Sequence, residues 1–149
     1  MKNACCLVFI LSLYISVKAQ DNYHQDSIAV TQVIQHMFTA MKTSDTNLLK
    51  TCFSPTTIFQ TIVNKNGQVE IKTEQLQNFI NSIGKQPPGA IDERVTIGEL
   101  LIDNQLASVW TPYQFYYKEQ YSHQGANSFQ LVKGVDGWKI QYLIDTRRK

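Results

Sequence analysis

Residues 106–146 read LASVWTPYQFYYKEQYSHQGANSFQLVKGVDGWKIQYLIDT. Aromatic and branched residues alternate with polar ones, and breaks fall near Gln120 and at Gly134-Val135-Asp136-Gly137. This period of two predicts three strands in series, over residues 106–119, 121–133 and 138–146. The stretch holds both tryptophans, Trp110 and Trp138, and a histidine among apolar neighbours, His123. It forms one wall of the fold and one wall of any binding site.

Upstream, residues 91–102 predict a fourth strand, with Ile91, Val95, Ile97 and Leu101 on its apolar face, turned by Asp103-Asn104 into the first of the three. Residues 57–63 and 68–72 flank Asn64-Lys65-Asn66-Gly67, a hairpin signal. Between hairpin and fourth strand, Thr73 opens a helix carrying Leu76, Phe79, Ile80 and Ile83 on one side, with Gly84 as its stop. Gln86-Pro87-Pro88-Gly89 reads as a loop.

The N-terminal half begins with a longer helix from Asp26, with Asp26 or Ser27 as its cap after a frayed Gln20–Gln25. Ile28, Val30, Val33, Ile34, Met37, Phe38 and Met41 recur on its apolar stripe. Ser44 or Asp45 caps a short second helix through Leu48, Leu49 and Cys52, ended by Pro55. The element order is helix, helix, hairpin, helix and a four-strand antiparallel meander, which argues α+β with helices on one face of a curved antiparallel sheet.

Ahead of these lies a secretory signal pattern. Lys2, an apolar run from Cys5 to Val17, and Val17-Lys18-Ala19 predict cleavage after Ala19, leaving one domain of residues 20–149 exported to the periplasm or beyond. The run is shorter than the ~20 residues a membrane span needs, so no membrane anchoring is expected. Losing Lys2 and Lys18 removes the whole +2 formal charge. A neutral chain excludes nucleic acid as the main partner. Only Cys52 survives cleavage, so packing alone must hold the fold, and Cys52 itself belongs in the core.

This order of elements resembles the nuclear transport factor 2-like superfamily, a cone-shaped fold shared by SnoaL-like cyclases, ketosteroid isomerases and scytalone dehydratase. Trp110-Thr-Pro-Tyr-Gln-Phe-Tyr, His123-Gln-Gly-Ala-Asn-Ser-Phe-Gln-Leu and Gly137-Trp-Lys-Ile look like a secreted bacterial branch of it, one labelled nuclear transport factor 2 family or lumazine-binding. The resemblance covers nearly all of residues 20–149. It implies a small-molecule pocket inside the cone.

Strand alternation sorts the faces of that pocket. Trp138, Ile140, Tyr142 and Ile144 should face the core, with Lys139, Gln141 and Asp145 outside. His123, Gly125, Asn127, Phe129 and Leu131 share an inner face. Val109, Tyr113, Phe115 and Tyr117 face inward on the neighbouring strand, with a bulge or bend expected at Pro112 because it lacks a backbone donor. Phe38 and Met41, with Met37, oppose this wall. The expected ligand contacts are therefore Tyr113, Phe115, Tyr117, His123, Asn127, Phe38 and Met41.

His123 is the candidate proton carrier, Tyr113 or Tyr117 the candidate donor to an oxyanion, and Asn127 an orienting group. The enzymes of the resembled fold work with an inward Asp or Glu, whereas Glu99, Glu119 and Asp145 fall on outer faces or strand ends. No close histidine spacing, phosphate loop or nucleophile elbow occurs, so neither metal nor cofactor is expected. The Arg147-Arg148-Lys149 tail reads as a solvated terminus. These features favour a non-enzymatic binder of a small apolar or aromatic molecule. The alternative is a cofactor-free isomerase or lyase using His123, and a homodimer through the exposed sheet face is expected.

Overall fold

The computed structural model describes the backbone of residues 4–149 and the side chains of residues 22–149, so the expected signal segment at residues 1–19 lies outside the side-chain description. Helix α1 spans Ala4–Thr43, α2 Thr46–Thr51 and α3 Leu76–Gly84. The strands are β1 Phe53–Lys65, β2 Gln68–Glu74, β3 Ile91–Val95, β4 Leu100–Asp103, β5 Leu106–Tyr117, β6 Gln120–Gly134 and β7 Gly137–Thr146. Among the described residues no helix is long and apolar enough to cross a membrane.

No glycine or proline interrupts α1, which carries Asp26 and Ser27 inside the helix rather than at its start. Asp26 does another job. Its Oδ1 accepts from Lys133 Nζ at 2.6 Å and from Trp138 Nε1 at 3.0 Å, tying the helix to the β6–β7 hairpin. The helix ends at Ser44, in the left-handed region at φ 57. Asp45 then caps α2, accepting from the Asn47 and Leu48 amides at 3.0 Å. Cys52 is buried as expected.

The sheet runs β2-β1-β7-β6-β5-β3, with β4 also paired to β5. It is mixed, since β1 and β7 run parallel while the other pairs are antiparallel. The expectation of a wholly antiparallel sheet fails at that pair, because β7 closes the meander beside a strand that entered by a separate hairpin. The sheet curls without closing, and α1 and α3 fill its concave side. Two-residue turns join the hairpins. Asn66-Gly67 has both residues at positive φ and the Gly67 amide donates to Asn64 Oδ1 at 2.9 Å.

Residues 91–102 form two strands, not one. The break sits opposite Pro112, whose carbonyl accepts from Thr96 N at 3.0 Å. Pro112 itself pairs in register with Ala126. The irregularity expected at Pro112 thus falls in its neighbour strand, where the missing proline N–H leaves one ladder bond unmade. The break also changes which side chains point inward, so Leu101 is 65% exposed while Leu100 and Ile102 pack on the core.

Two bulges set the inner faces. In β7, Ile140 pairs with Leu131 but Tyr142 pairs with Gln130, leaving Gln141 as an extra residue. The inward set therefore changes from Trp138 and Ile140 to Leu143 and Asp145, and the expected inward Tyr142 and Ile144 turn away. Gln141 is held there by β1, with Ser54 Oγ donating to Oε1 at 2.6 Å and Nε2 donating to the Thr56 carbonyl at 3.0 Å. In β6, Ser122 is the extra residue between Phe115–His123 and Tyr116–Tyr121 pairs. Phe129, fully buried at the centre, packs edge-on against Phe38 at 6.2 Å.

Candidate functional site

A cavity of about 280 Å³ opens between α1, α3 and the concave sheet. Its apolar end comes from Met37, Phe38, Met41, Phe59, Phe79 and Leu143, whose helix and strand periodicities all direct them inward. The opposite wall carries Glu93 from β3, Tyr113 and Phe115 from β5, His123 and Asn127 from β6, and Asp145 and Arg147 from the end of β7. Apolar surface on one side and convergent polar groups on the other are the composition of a small-molecule site.

Of the expected residues, Tyr113, Phe115, His123, Asn127, Phe38 and Met41 all line the cavity. Tyr117 does not. It lies past the Ser122 bulge, is largely exposed, and donates through its hydroxyl to Gln86 Oε1 at 3.2 Å. Asn127 orients Glu93 rather than His123, its Nδ2 donating to Glu93 Oε1 at 3.0 Å and Thr111 Oγ1 at 3.2 Å.

The acid that strand alternation placed outside is inside. Asp145 is 6% exposed, turned inward by the Gln141 bulge. Its Oδ2 accepts from Arg147 Nε at 3.1 Å, and the Tyr113 hydroxyl lies 3.2 Å away while donating to the Thr146 carbonyl at 2.8 Å. Asp145 Oδ1 is buried with no hydrogen-bond partner among the described residues. Arg147 is likewise no free tail residue. The following residue, Arg148, pairs with Gln124 through two backbone bonds, which pins the chain end to β6.

Glu93 is a second acid that the sequence reading passed over. A signal was available, because Glu93 sits between Ile91 and Val95 on the inward face of β3. Burial pushes its carboxyl up to about 7, aided by the Asp145 charge and opposed by the Asn127 hydrogen bond and Arg147. Burial also raises the Tyr113 hydroxyl, reinforced by Asp145 and Glu93, so it remains a neutral donor. Burial lowers His123, with Arg147 adding to the effect and Asp145 opposing it. For Arg147, burial disfavours the charge, but Asp145, Tyr113 and Glu93 more than offset it.

His123 stacks on Phe115 at 4.8 Å and meets the Tyr113 ring edge-on at 5.8 Å. Its Nδ1 lies 3.1 Å from Ser122 Oγ. Chemically, the wall offers a carboxyl near its titration point, a neutral imidazole, a phenol donor and a charged carboxylate–guanidinium pair. These groups can hold a polar substituent and exchange a proton with it.

No protein-family model matches the chain. No curated protein matches it. Among solved structures it is similar to an NTF2-like protein of unknown function from Shewanella baltica, at 16% identity and TM-score 0.68, over 85% of this chain and 97% of that one. It is also similar to an NTF2-like protein of unknown function from Silicibacter pomeroyi, at 13% identity and TM-score 0.64, over 85% and 98%. A third, from Streptomyces avermitilis, bears the name of a candidate dehydratase of the NTF2-like family; it shares 12% identity at TM-score 0.67, over 85% and 98%. At these identities the likeness is one of fold. The chain has the α+β nuclear transport factor 2-like fold.

Proposed function

We propose that this nuclear transport factor 2-like domain binds a small, largely apolar organic molecule within the cone. The carrying observation is a cavity of about 280 Å³ with an aromatic and methionine floor facing six polar side chains. An apolar cavity of about 150 Å³ already accepts a single benzene-sized ring, so one or two fused rings match this volume. Thermal-shift and native mass-spectrometry screening with one- and two-ring aromatics, lumazine among them, tests the reading. A bound ring compound that raises the melting temperature supports it, and a panel without a single binder at millimolar concentration refutes it.

A second reading is favoured by Glu93. Strand alternation alone puts no acid of β5, β6 or β7 on the inner face, yet Glu93 and Asp145 both stand in the polar wall of the cavity. A cofactor-free isomerase or lyase would take a proton with Glu93, held by Asn127, while Tyr113 or His123 polarises the substrate. His123 then serves as donor rather than as base, since it sits lowered and stacked at the wall. Turnover of an activated carbonyl compound that disappears in Glu93→Gln supports this reading; turnover unaffected by that change rejects it.

The setting proposed for this activity is outside the inner membrane, supported by Lys2, the apolar run and the Val17-Lys18-Ala19 pattern. Recovery of a periplasmic chain starting at Gln20 is the expected result, and a cytoplasmic chain retaining Met1 is the contrary one. We also propose a homodimer through the convex sheet face, where Trp110 is 48% exposed beside Ser128, with Leu101, Leu106 and Val132 nearby. Light scattering that gives a monomer mass at high concentration removes it.

A further inference from the structure

We infer that β2 is a self-recognition edge, where a second copy of the chain adds its own β2 antiparallel to this one about a two-fold axis at Ile71 and joins the two sheets. This contact is separate from the convex-face contact proposed above. β2 ends the sheet, with β1 on one side and no strand on the other among the described residues. Its whole length is exposed, Val69 at 67% and Ile71 at 61%. The two-residue Asn66-Gly67 turn closes on the Lys65–Gln68 pair, so by alternation the backbone groups of Gln68, Glu70, Lys72 and Glu74 bond to β1. Those of Val69, Ile71 and Thr73 point away from the sheet and have no backbone partner among the described residues. The opposite edge is less open. There β3 and β4 are five and four residues long, and the Lys42–Asp92 ion pair at 3.0 Å ties β3 to α1.

The side chains select the register. A ladder forms only where outward-pointing residues meet each other, so the centre falls at Ile71 or slips by two residues. Centred on Ile71, the pairing sets the two Ile71 side chains together, each Glu70 against the second copy's Lys72, and each Val69 against the second copy's Thr73. Two opposite-charge pairs then flank an apolar centre. A slip one way sets Glu70 against Glu70, and a slip the other way sets Lys72 against Lys72 and Glu70 against Glu74. Edge charges that serve to keep copies apart repel a copy of themselves, whereas Glu70 and Lys72 match theirs. Glu70 is free to do so, since its ion pair with Lys65 is long, at 3.8 Å, and both side chains are more than half exposed. Ile71 also lies in register with Ile62 of β1, so the joined sheets continue one apolar row across the contact.

One seven-residue strand from each copy makes a small interface of the weak class, so the test is run up to high concentration. Amide exchange is followed by NMR on the wild-type protein from about 20 μM to about 2 mM. Exchange at Val69, Ile71 and Thr73 should slow by about three-fold or more over that range, and exchange at Glu70 and Lys72, already bonded to β1, should change less. No concentration dependence at the three amides overturns the inference. It leaves the convex-face dimer standing where sedimentation still shows one that Trp110→Ala weakens. The same three amides then read two charge variants, at exposed side chains whose replacement leaves the fold intact. Lys72→Glu turns both attractive pairs into repulsive ones and should abolish the protection, and adding Glu70→Lys to it should restore the protection. Protection that survives Lys72→Glu, or that the double substitution fails to restore, also overturns the inference.

Discussion

Tyr113 and Gly125 face each other across the β5–β6 ladder, and a Cβ on Gly125 would lie 2.7 Å from Tyr113 Cε1 and overlap the Thr146 carbonyl oxygen. The tyrosine ring lies over the glycine on its way to Thr146 and Asp145. A missing side chain on one strand is thus what lets the donor on the next reach the chain end.

Gly125→Ala should therefore displace Tyr113 and the last strand together. Overpacking of this kind costs roughly 1–3 kcal/mol. Urea unfolding should register the loss, and ring-compound binding should weaken with it. A variant as stable as wild type, with unchanged ring-compound affinity, would show that the glycine is not needed for the close approach.

Glu93 should make stability pH-dependent in an uncommon direction. Its carboxyl, ordinarily near 4.5, is raised to about 7 in the folded protein. The fold thus holds this proton more tightly than the unfolded chain does. The resulting contribution is complete below the ordinary carboxyl range and is lost as pH rises through 7. The span is on the order of 3 kcal/mol. Glu93→Gln keeps the Oε1 acceptor for Asn127, so it should match wild type at about pH 4, below the ordinary carboxyl range, and melt at a higher temperature at pH 8. Calorimetry that finds the same difference at both pH values contradicts the raised carboxyl.

Deleting Gln141 should straighten β7 without turning it over. Gln141 is the residue with no partner in β6, so the Ile140–Leu131 and Tyr142–Gln130 pairs become successive and Leu143 and Asp145 keep their inward facing. What is lost is the pair of side-chain hydrogen bonds to Ser54 and Thr56, together about 1–3 kcal/mol. A lower urea midpoint with ring-compound binding retained is expected. A deletion variant that folds but exposes Leu143 would mean that the facing of this end is set elsewhere.

Two aromatic truncations should separate core from surface. Phe129→Ala, at a fully buried centre, should cost about 3–5 kcal/mol. Trp110→Ala, half exposed on the convex face, should stay within about 0.5 kcal/mol for the monomer yet weaken self-association. Sedimentation across a concentration series distinguishes the two effects, and an unaltered dimer would move the interface off Trp110.

Much of the fold is legible in residue order. The Asn66-Gly67 turn, the α3 stripe of Phe79, Ile80 and Ile83, and the inward set His123, Asn127, Phe129 and Leu131 are all local patterns. Their periods of 3.6 and 2 hold until something resets them. Six of the seven expected cavity residues line the cavity for that reason. Tyr117 fails because it is the last residue of β5, exposed beyond the cavity with its hydroxyl donating to Gln86.

By itself, the sequence determined the α+β class, the hairpins and most of the aromatic wall, since alternation and turn chemistry act within a few residues. Only the tertiary structure decided that Asp145, Glu93 and Arg147 share the cavity. A bulge depends on what the neighbouring strand offers, here Ser54 and Thr56 holding Gln141. The fold-back of the tail depends on Gln124, more than twenty residues earlier. One extra residue in β7 reverses every side chain beyond it, and so decides whether Asp145 faces solvent or the cavity.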